Sequence, residues 1–166
     1  DKKMPLVKKQ NKVELQKMLN LPVDENVPMV AMITRLVSHK GIDIVRGAFE
    51  NMMNENIQMV ILGTGDVHFE GFFKDMEYRH GNKLRAIIAF NQDLSRKIYA
   101  ASDIFLMPSI AEPCGLSQMI ASRYGSVPLV RRTGGLADSI FDFTVKGNGY
   151  TFDNVENIIL KFIVFN

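Results

Sequence analysis

Five short runs that are apolar at almost every position alternate along this chain with segments of helical period. The runs span 28–33, 57–62, 84–90, 103–108 and 127–130. A strand of this kind is buried on both faces, which is typical of a parallel sheet covered by helices on both sides. The alternation therefore predicts an α/β fold built on a doubly wound parallel sheet.

The segments between these runs carry apolar residues at helical spacing. In one of them Ile42, Val45 and Phe49 form a single stripe. The first helix is predicted to begin at Asn11, because Asn11 and Glu14 form a capping-box pattern. The predicted helices span 11–20, 41–53, 69–79, 93–102 and 116–124, with a short helix after 133–135.

Length and composition fit one globular domain. The chain has 166 residues, 46% of them apolar, which is enough for a core without disulfides or a structural metal. Residues 1–10 are predicted to be a basic, solvated lead-in, and 11–166 to form the domain. Because the chain opens at Asp1 rather than at a methionine, we expect it to be cut from a longer protein.

Charge and cysteine content exclude several classes of function. Lys+Arg 20 against Asp+Glu 18 gives a net charge of +2, too small to favour nucleic acid as a partner. A single cysteine cannot build a disulfide framework and indicates a reducing compartment. No stretch approaches the ~18 apolar residues of a membrane span, and no signal-peptide pattern is present. We expect a cytoplasmic protein with no nucleic-acid or membrane partner.

Ligands of open parallel sheets bind in the crevice beyond the carboxyl ends of the strands. The loops that follow the five apolar runs are 34–41, 63–66, 91–93, 109–117 and 131–136. In the first, Arg35 and Lys40 precede a helix that starts near Gly41. Two cations there suit a diphosphate, and the alternative is a pair of solvated surface charges.

Two glycine-containing loops are weaker candidates. Gly63-Thr64-Gly65 resembles a phosphate turn, but the third glycine of a dinucleotide fingerprint is replaced by His68, so a tight turn with close backbone approach is favoured. In the second loop, the amides of Gly134 and Gly135 after Thr133 are candidate donors to an anion. The alternative for that loop is a plain flexible connection.

The loop 109–117 has the most informative composition. Pro113 stiffens it, Gly115 permits close approach of a ligand, and Glu112 is suited to accept hydrogen bonds from sugar hydroxyls. A carboxylate that served only as a helix-dipole partner would need neither the proline nor the glycine. Cys114 is a possible nucleophile, yet no base is evident near it in the sequence. The histidines show no metal-ligand spacing, so no metal is predicted.

Four blocks in chain order resemble the carboxyl-terminal domain of bacterial glycogen synthases and plant starch synthases. They are Arg35 with Lys40-Gly41, Gly63-Thr64-Gly65-Asp66, Glu112-Pro113-Cys114-Gly115-Leu116 and Arg131-Arg132-Thr133-Gly134-Gly135-Leu136. The resemblance runs from about 11 to 154. It implies a Rossmann-like domain, the carboxyl-terminal half of a two-domain GT-B glycosyltransferase whose amino-terminal acceptor domain is absent from this chain.

The resemblance also implies an activity. The chain would be the donor-binding half of an enzyme that transfers glucose from ADP-glucose to the non-reducing end of an α-1,4-glucan with retention of configuration. The implied partners are ADP-glucose or ADP and, through the missing domain, the glucan; no cofactor is implied. We expect the isolated half to be inactive. A plant starch synthase would lie in the plastid stroma instead of the cytoplasm.

The family's roles are implied for individual residues. Arg35 and Lys40 would hold the diphosphate and stabilise the leaving ADP, Glu112 would lie near the donor glucose, and Phe90 would stack on adenine. The remaining implied contacts are those of Gly41, Gly63, Thr64 and Gly65 with the nucleotide, of the Cys114, Gly115 and Leu116 backbone with sugar hydroxyls, and of Thr133, Gly134 and Gly135 near the phosphates.

Some positions depart from the family pattern, and two other functions stay open. Related retaining transferases often carry a second carboxylate eight positions after the first, where this chain has Ile120, so a two-carboxylate mechanism gains no support. The tail 156–166 is unusually apolar and the stretch 141–150 is short. The alternatives are a transferase that uses UDP-glucose and a non-catalytic module that binds a nucleotide or a glucan.

Overall fold

A computed structural model describes residues 4–143 and 147–154. Within these residues, six parallel strands and six helices alternate. The strands are β1 (Met29–Ile33), β2 (Gln58–Leu62), β3 (Leu84–Ile87), β4 (Ile104–Met107), β5 (Val127–Arg131) and β6 (Tyr150–Phe152). The helices are α1 (Met4–Met18), α2 (Ile42–Asn54), α3 (Val67–Arg79), α4 (Gln92–Ala101), α5 (Ser117–Arg123) and α6 (Gly134–Ser139), and a 3-10 turn spans Ser38–Lys40.

The sheet has hydrophobic cores on both faces. One core packs α2 and α3 against the strands and is dominated by Phe49, Phe69 and Phe73. The other core brings together residues of α1, α4, α5 and α6, among them Leu15 and Ile98. The four residues of β4 and all five of β2 are buried, as expected for strands covered on both faces. The predicted doubly wound parallel sheet is confirmed.

The first helix begins earlier than the sequence predicted. It starts at Met4, so Asn11 lies inside it and the predicted start at Asn11 is wrong. Pro5 is tolerated because the first turn of a helix needs no amide donor. The Lys8 ammonium donates to the carbonyls of Tyr99, Ala100 and Tyr124, at the ends of α4 and α5. Tertiary contacts therefore order part of the predicted lead-in 1–10; the domain boundary at residue 11 stays a prediction.

The carboxyl-terminal part of the chain contains a strand that the sequence analysis did not identify. Strand β6, which pairs with β5 in parallel, was not predicted. The apolar tail 156–166 lies outside the described residues.

No helix in the described part of the chain is long and apolar enough to cross a membrane. The cytoplasmic or plastid location stays a prediction.

In the strand order β3-β2-β1-β4-β5-β6, the direction in which successive strands are added to the sheet reverses between β1 and β4. At such a switch point the loops after the two strands leave in opposite directions and open a crevice. Here these loops are 34–41, after β1, and 108–116, after β4. They are the two loops that carry the predicted Arg35, Lys40 and Glu112.

Candidate functional site

The two loops at the switch point bring Lys40 and Glu112 into contact. Lys40 Nζ lies 2.6 Å from Glu112 Oε2, and the side chains are 19% and 13% exposed. The Ser109 hydroxyl donates to the same carboxylate oxygen at 3.1 Å. The cation predicted to bind phosphate and the carboxylate predicted to lie near a sugar therefore form one partly buried ion pair, which the sequence did not predict.

Backbone contacts explain why these loops meet. The amide of Ile110 donates to the His39 carbonyl at 2.9 Å, which joins the β4 loop to the 3-10 turn. Gly41 has a φ of 75° and packs on Pro108, and a Cβ at Gly41 would lie 1.9 Å from the Pro108 carbonyl oxygen. Gly41 therefore permits the contact between the two loops that places Lys40 beside Glu112. The predicted contact of Gly41 with a nucleotide stays a prediction.

The loop after β5 supports the same region from the other side. Thr133 Oγ1 donates to the Ile110 carbonyl at 3.1 Å, and the Gly135 amide donates to the Glu112 carbonyl at 2.9 Å. A Cβ at Gly134 would lie 2.3 Å from the Glu112 carbonyl oxygen. The Gly135 amide, predicted as a donor to an anion, here donates to the protein, and its contact with a ligand stays a prediction. Thr133 and both glycines hold the Glu112 loop.

A cavity of about 240 Å³ opens on the β2 and β3 side of the crevice. Arg35, Gly63, Thr64 and Phe90 line it. The Phe90 side chain is 87% exposed, so its ring face is available to a flat ligand. Among the described residues, Arg35 has no ion-pair partner. The cavity thus combines an open aromatic ring with an unneutralised guanidinium.

A second cavity of about 70 Å³ lies next to the first and is polar. The ion pair of Lys40 and Glu112 lines it, together with Gly115 and Leu116. The two cavities share Ile33 and Thr34 at the end of β1, so they lie side by side in the crevice at the carboxyl ends of the strands. Such a crevice suits a ligand with a flat ring at one end, a polyhydroxyl group at the other and an anion between them.

The remaining predicted residues lie away from both cavities. Gly65 pairs with Leu36 in an isolated bridge, and a Cβ there would lie 2.1 Å from the Leu36 carbonyl oxygen. Gly65 therefore permits a close approach to Leu36, and its contact with a nucleotide stays a prediction. Cys114 is exposed and does not line either cavity. Thr34 and Ser109 line the crevice but were not predicted, because an isolated threonine or serine carries no distinctive sequence signal.

A cavity of about 640 Å³, larger than either cavity of the crevice, lies at the amino ends of the strands. Lys12, which is 3% exposed, lines this cavity, and its Nζ lies 2.6 Å from Asp103 Oδ2. The same oxygen accepts from the Met29 amide. The Lys12 ammonium also donates to the carbonyls of Glu25 and Val27. This network fixes α1 to the amino ends of the strands and leaves these groups satisfied, so the crevice is the better functional candidate despite its smaller volume.

Metal-binding side chains do not cluster in the part of the chain that the structure describes. Within 4–143 and 147–154, no group of three His, Cys, Asp or Glu side chains is placed to hold a metal ion.

Known proteins resemble this chain in sequence and in fold. A family model described as "Glycosyl transferases group 1" matches residues 15–162. Over 150 residues the chain is 54% identical to a glycogen synthase of Clostridium acetobutylicum, a match that covers 89% of this chain and 31% of that protein. The catalytic domain of starch synthase IV from Arabidopsis thaliana, bound to ADP and acarbose, is 39% identical with a TM-score of 0.83, covering 93% of this chain and 35% of that one.

A more distant structure shares the fold. Sucrose-phosphate synthase from Thermosynechococcus elongatus is 21% identical with a TM-score of 0.69, covering 89% of this chain and 37% of that chain. The resemblance to glycogen and starch synthases predicted from the sequence is confirmed. The chain spans about a third of the length of the curated relatives that it matches.

Proposed function

Because the chain belongs to the family of glycosyl transferases, group 1, we propose that it forms the donor half of a retaining glucosyltransferase. The donor is ADP-glucose, and glucose passes to the non-reducing end of an α-1,4-glucan. The acceptor contacts come from a further domain, since the relatives are about three times as long as this chain. The 166-residue chain alone transfers no glucose.

The observation that carries the proposal is the placement of Arg35, Lys40 and Glu112 along one crevice. Breaking the bond between the sugar and the diphosphate develops negative charge on the leaving group. Fixed cations at that point stabilise the transition state more than the ground state, and they need no metal to do so. Arg35 can bind phosphate oxygens bidentately, while Lys40 contributes a point charge.

Glu112 orients Lys40 and the sugar. Its carboxylate accepts from Lys40 and from Ser109. A carboxylate has further lone pairs, so the same group can also accept from a sugar hydroxyl. The second carboxylate of some retaining transferases has no counterpart here, because Ile120 lies eight positions on, in α5. A covalent intermediate is therefore not part of the function proposed for this chain.

The adenine nucleotide is proposed from two supporting observations. The open ring of Phe90 borders a cavity of about 240 Å³ beside Arg35. A starch synthase that is 39% identical binds ADP in its solved structure. The fold alone does not discriminate between donors.

Replacing Glu112 and Cys114 separates their roles. We expect Glu112→Gln to lower kcat about 100-fold while ADP affinity changes less than about threefold, because charge is lost next to the reacting sugar. Cys114→Ser is expected to keep most of the activity, since only its backbone is proposed to act. The assay uses a chimera in which the matched 150 residues of the Clostridium acetobutylicum glycogen synthase are replaced by the part of this chain that aligns with them. The chimera is incubated with ADP-glucose and maltooligosaccharide.

Two outcomes contradict these assignments. A folded Glu112→Gln chimera with normal turnover would remove Glu112 from the site. A folded Cys114→Ser chimera without activity would instead indicate thiol chemistry. Circular dichroism of each variant establishes that the comparison is between folded proteins.

A further inference from the structure

Gln118, in the first turn of α5, is a buried amide that is only half satisfied. The residue is 1% exposed. Its Nε2 donates to the Gly115 carbonyl at 3.1 Å, to the Ser139 hydroxyl at 3.1 Å and to the Cys114 carbonyl at 3.4 Å. Its Oε1 is buried and has no hydrogen-bond partner within the described residues. Exchanging the two ends of the amide would place its oxygen against two carbonyl oxygens, so the partners determine the orientation.

An unpaired buried oxygen is unfavourable, because its hydration is lost without replacement. A methionine of similar length would fill the space without that cost. The structural role of Gln118 therefore lies in its amide N–H groups, which link the loop before α5 to Ser139 on α6. The Gln118 side chain packs so closely against this loop that a Cβ at Gly115 would lie 2.7 Å from Gln118 Oε1.

The contacts of Gln118 set the orientation of two peptide groups. In a trans peptide the C=O and the N–H point in opposite directions, and the described chain contains no cis peptide. Since Gln118 binds the carbonyls of Cys114 and Gly115, the amides in the same peptide groups, those of Gly115 and Leu116, point away from it. Both residues line the polar cavity beside Glu112, and neither amide has an acceptor among the described residues.

We propose that Gln118 is a positioning residue that directs the Gly115 and Leu116 amides toward the hydroxyl groups of the donor sugar. The inference rests on the proposed function, because it needs a sugar nucleotide in the crevice. Gln118 does not line the cavity that holds Arg35 and Phe90. Gln118 therefore contributes to the affinity for ADP-glucose through the sugar. It does not contribute to the affinity for ADP, which lacks the sugar.

The test is an NMR titration of the ¹⁵N-labelled 166-residue chain with ADP and, separately, with ADP-glucose. In the unaltered chain, the Gly115 and Leu116 amide signals shift with ADP-glucose and stay in place with ADP. Gln118→Met keeps the volume and removes the donors. We expect it to abolish those two shifts and to weaken ADP-glucose binding about tenfold, the equivalent of two ordinary hydrogen bonds, while the ADP dissociation constant stays within twofold.

Ser122→Ala is the matched control. The Ser122 hydroxyl donates to the Gln118 backbone carbonyl on the same helix and does not touch the loop, so this variant should titrate like the unaltered chain. If Gln118→Met does not fold, Ser139→Ala removes one anchor of the amide and is expected to weaken ADP-glucose binding two- to threefold.

Three results overturn the inference. A folded Gln118→Met, or Ser139→Ala in its place, that binds ADP-glucose normally shows that the amide does not direct the loop. Equal losses for ADP and ADP-glucose show a general effect on the crevice. An unaltered chain that binds neither ligand contradicts the proposed function as well as the role of Gln118. This result is distinguishable from the first two because it is seen without any substitution.

Discussion

Replacing Arg35 or Lys40 by alanine is expected to lower kcat of the chimera by about 100-fold or more. Each substitution removes a cation from the point where the diphosphate gains charge, and loss of one such contact typically costs that much in turnover. Arg35 is exposed and without an ion-pair partner among the described residues, so its loss should leave stability almost unchanged. Initial rates with ADP-glucose and maltooligosaccharide give the comparison.

The Lys40 substitution has a second consequence. It leaves the Glu112 carboxylate with the Ser109 hydroxyl as its side-chain partner, so a loss of stability of about 1–2 kcal/mol is expected in addition. Arg96→Ala serves as the control, since Arg96 pairs with Asp93 on the exposed side of α4. A folded Arg35→Ala or Lys40→Ala chimera with turnover close to that of Arg96→Ala would contradict the assignment.

Gly41→Ala is expected to destabilise the domain by about 3 kcal/mol or more. An alanine at a φ of 75° is strained by about 1–2 kcal/mol, and its Cβ would lie 1.9 Å from the Pro108 carbonyl oxygen. Because that oxygen belongs to the backbone of the β4 loop, relief of the clash must move the loop and separate Lys40 from Glu112. Overpacking of this kind adds about 1–3 kcal/mol. Urea unfolding of the 166-residue chain measures the change.

Gly71→Ala provides the matched control for this substitution. Gly71 lies in the exposed part of α3, and a Cβ there meets nothing within 4 Å. The control should therefore gain about 0.5–1 kcal/mol, since alanine favours the helix. If Gly41→Ala is as stable as the unaltered chain, the contact between Gly41 and Pro108 does not hold the two loops together.

The sequence predicted the sheet and the edge at which its functional residues lie. The apolar runs identified β1 to β5 because buried parallel strands need apolar residues on both faces. Once those strands were placed, parallel topology required the loops after them to meet at one edge. This is why Arg35, Lys40 and Glu112 were identified as candidates without knowledge of any contact between them.

Contacts between distant segments were not predictable in the same way. Helix α1 extends to Met4 because Lys8 reaches carbonyls more than 90 residues away along the chain. The pairing of Lys40 with Glu112 depends on the conformation of Gly41 against Pro108, a relation across about 70 positions. Gln118 appears in the sequence as one more polar helix residue, and only its burial and its partners show that it holds a loop.

A titration of the 166-residue chain with ADP and with UDP tests the central claim most directly. Half of a crevice leaves the ligand partly in water, where charge interactions are screened. We therefore expect a dissociation constant for ADP nearer the millimolar than the micromolar end, equivalent to a binding free energy of about −4 to −6 kcal/mol. The dissociation constant should rise with salt and rise further in Arg35→Ala, and UDP should bind more weakly than ADP. Absence of ADP binding at several millimolar, or an equal affinity in Arg35→Ala, would contradict the account, and tighter binding of UDP would assign the crevice to the other donor.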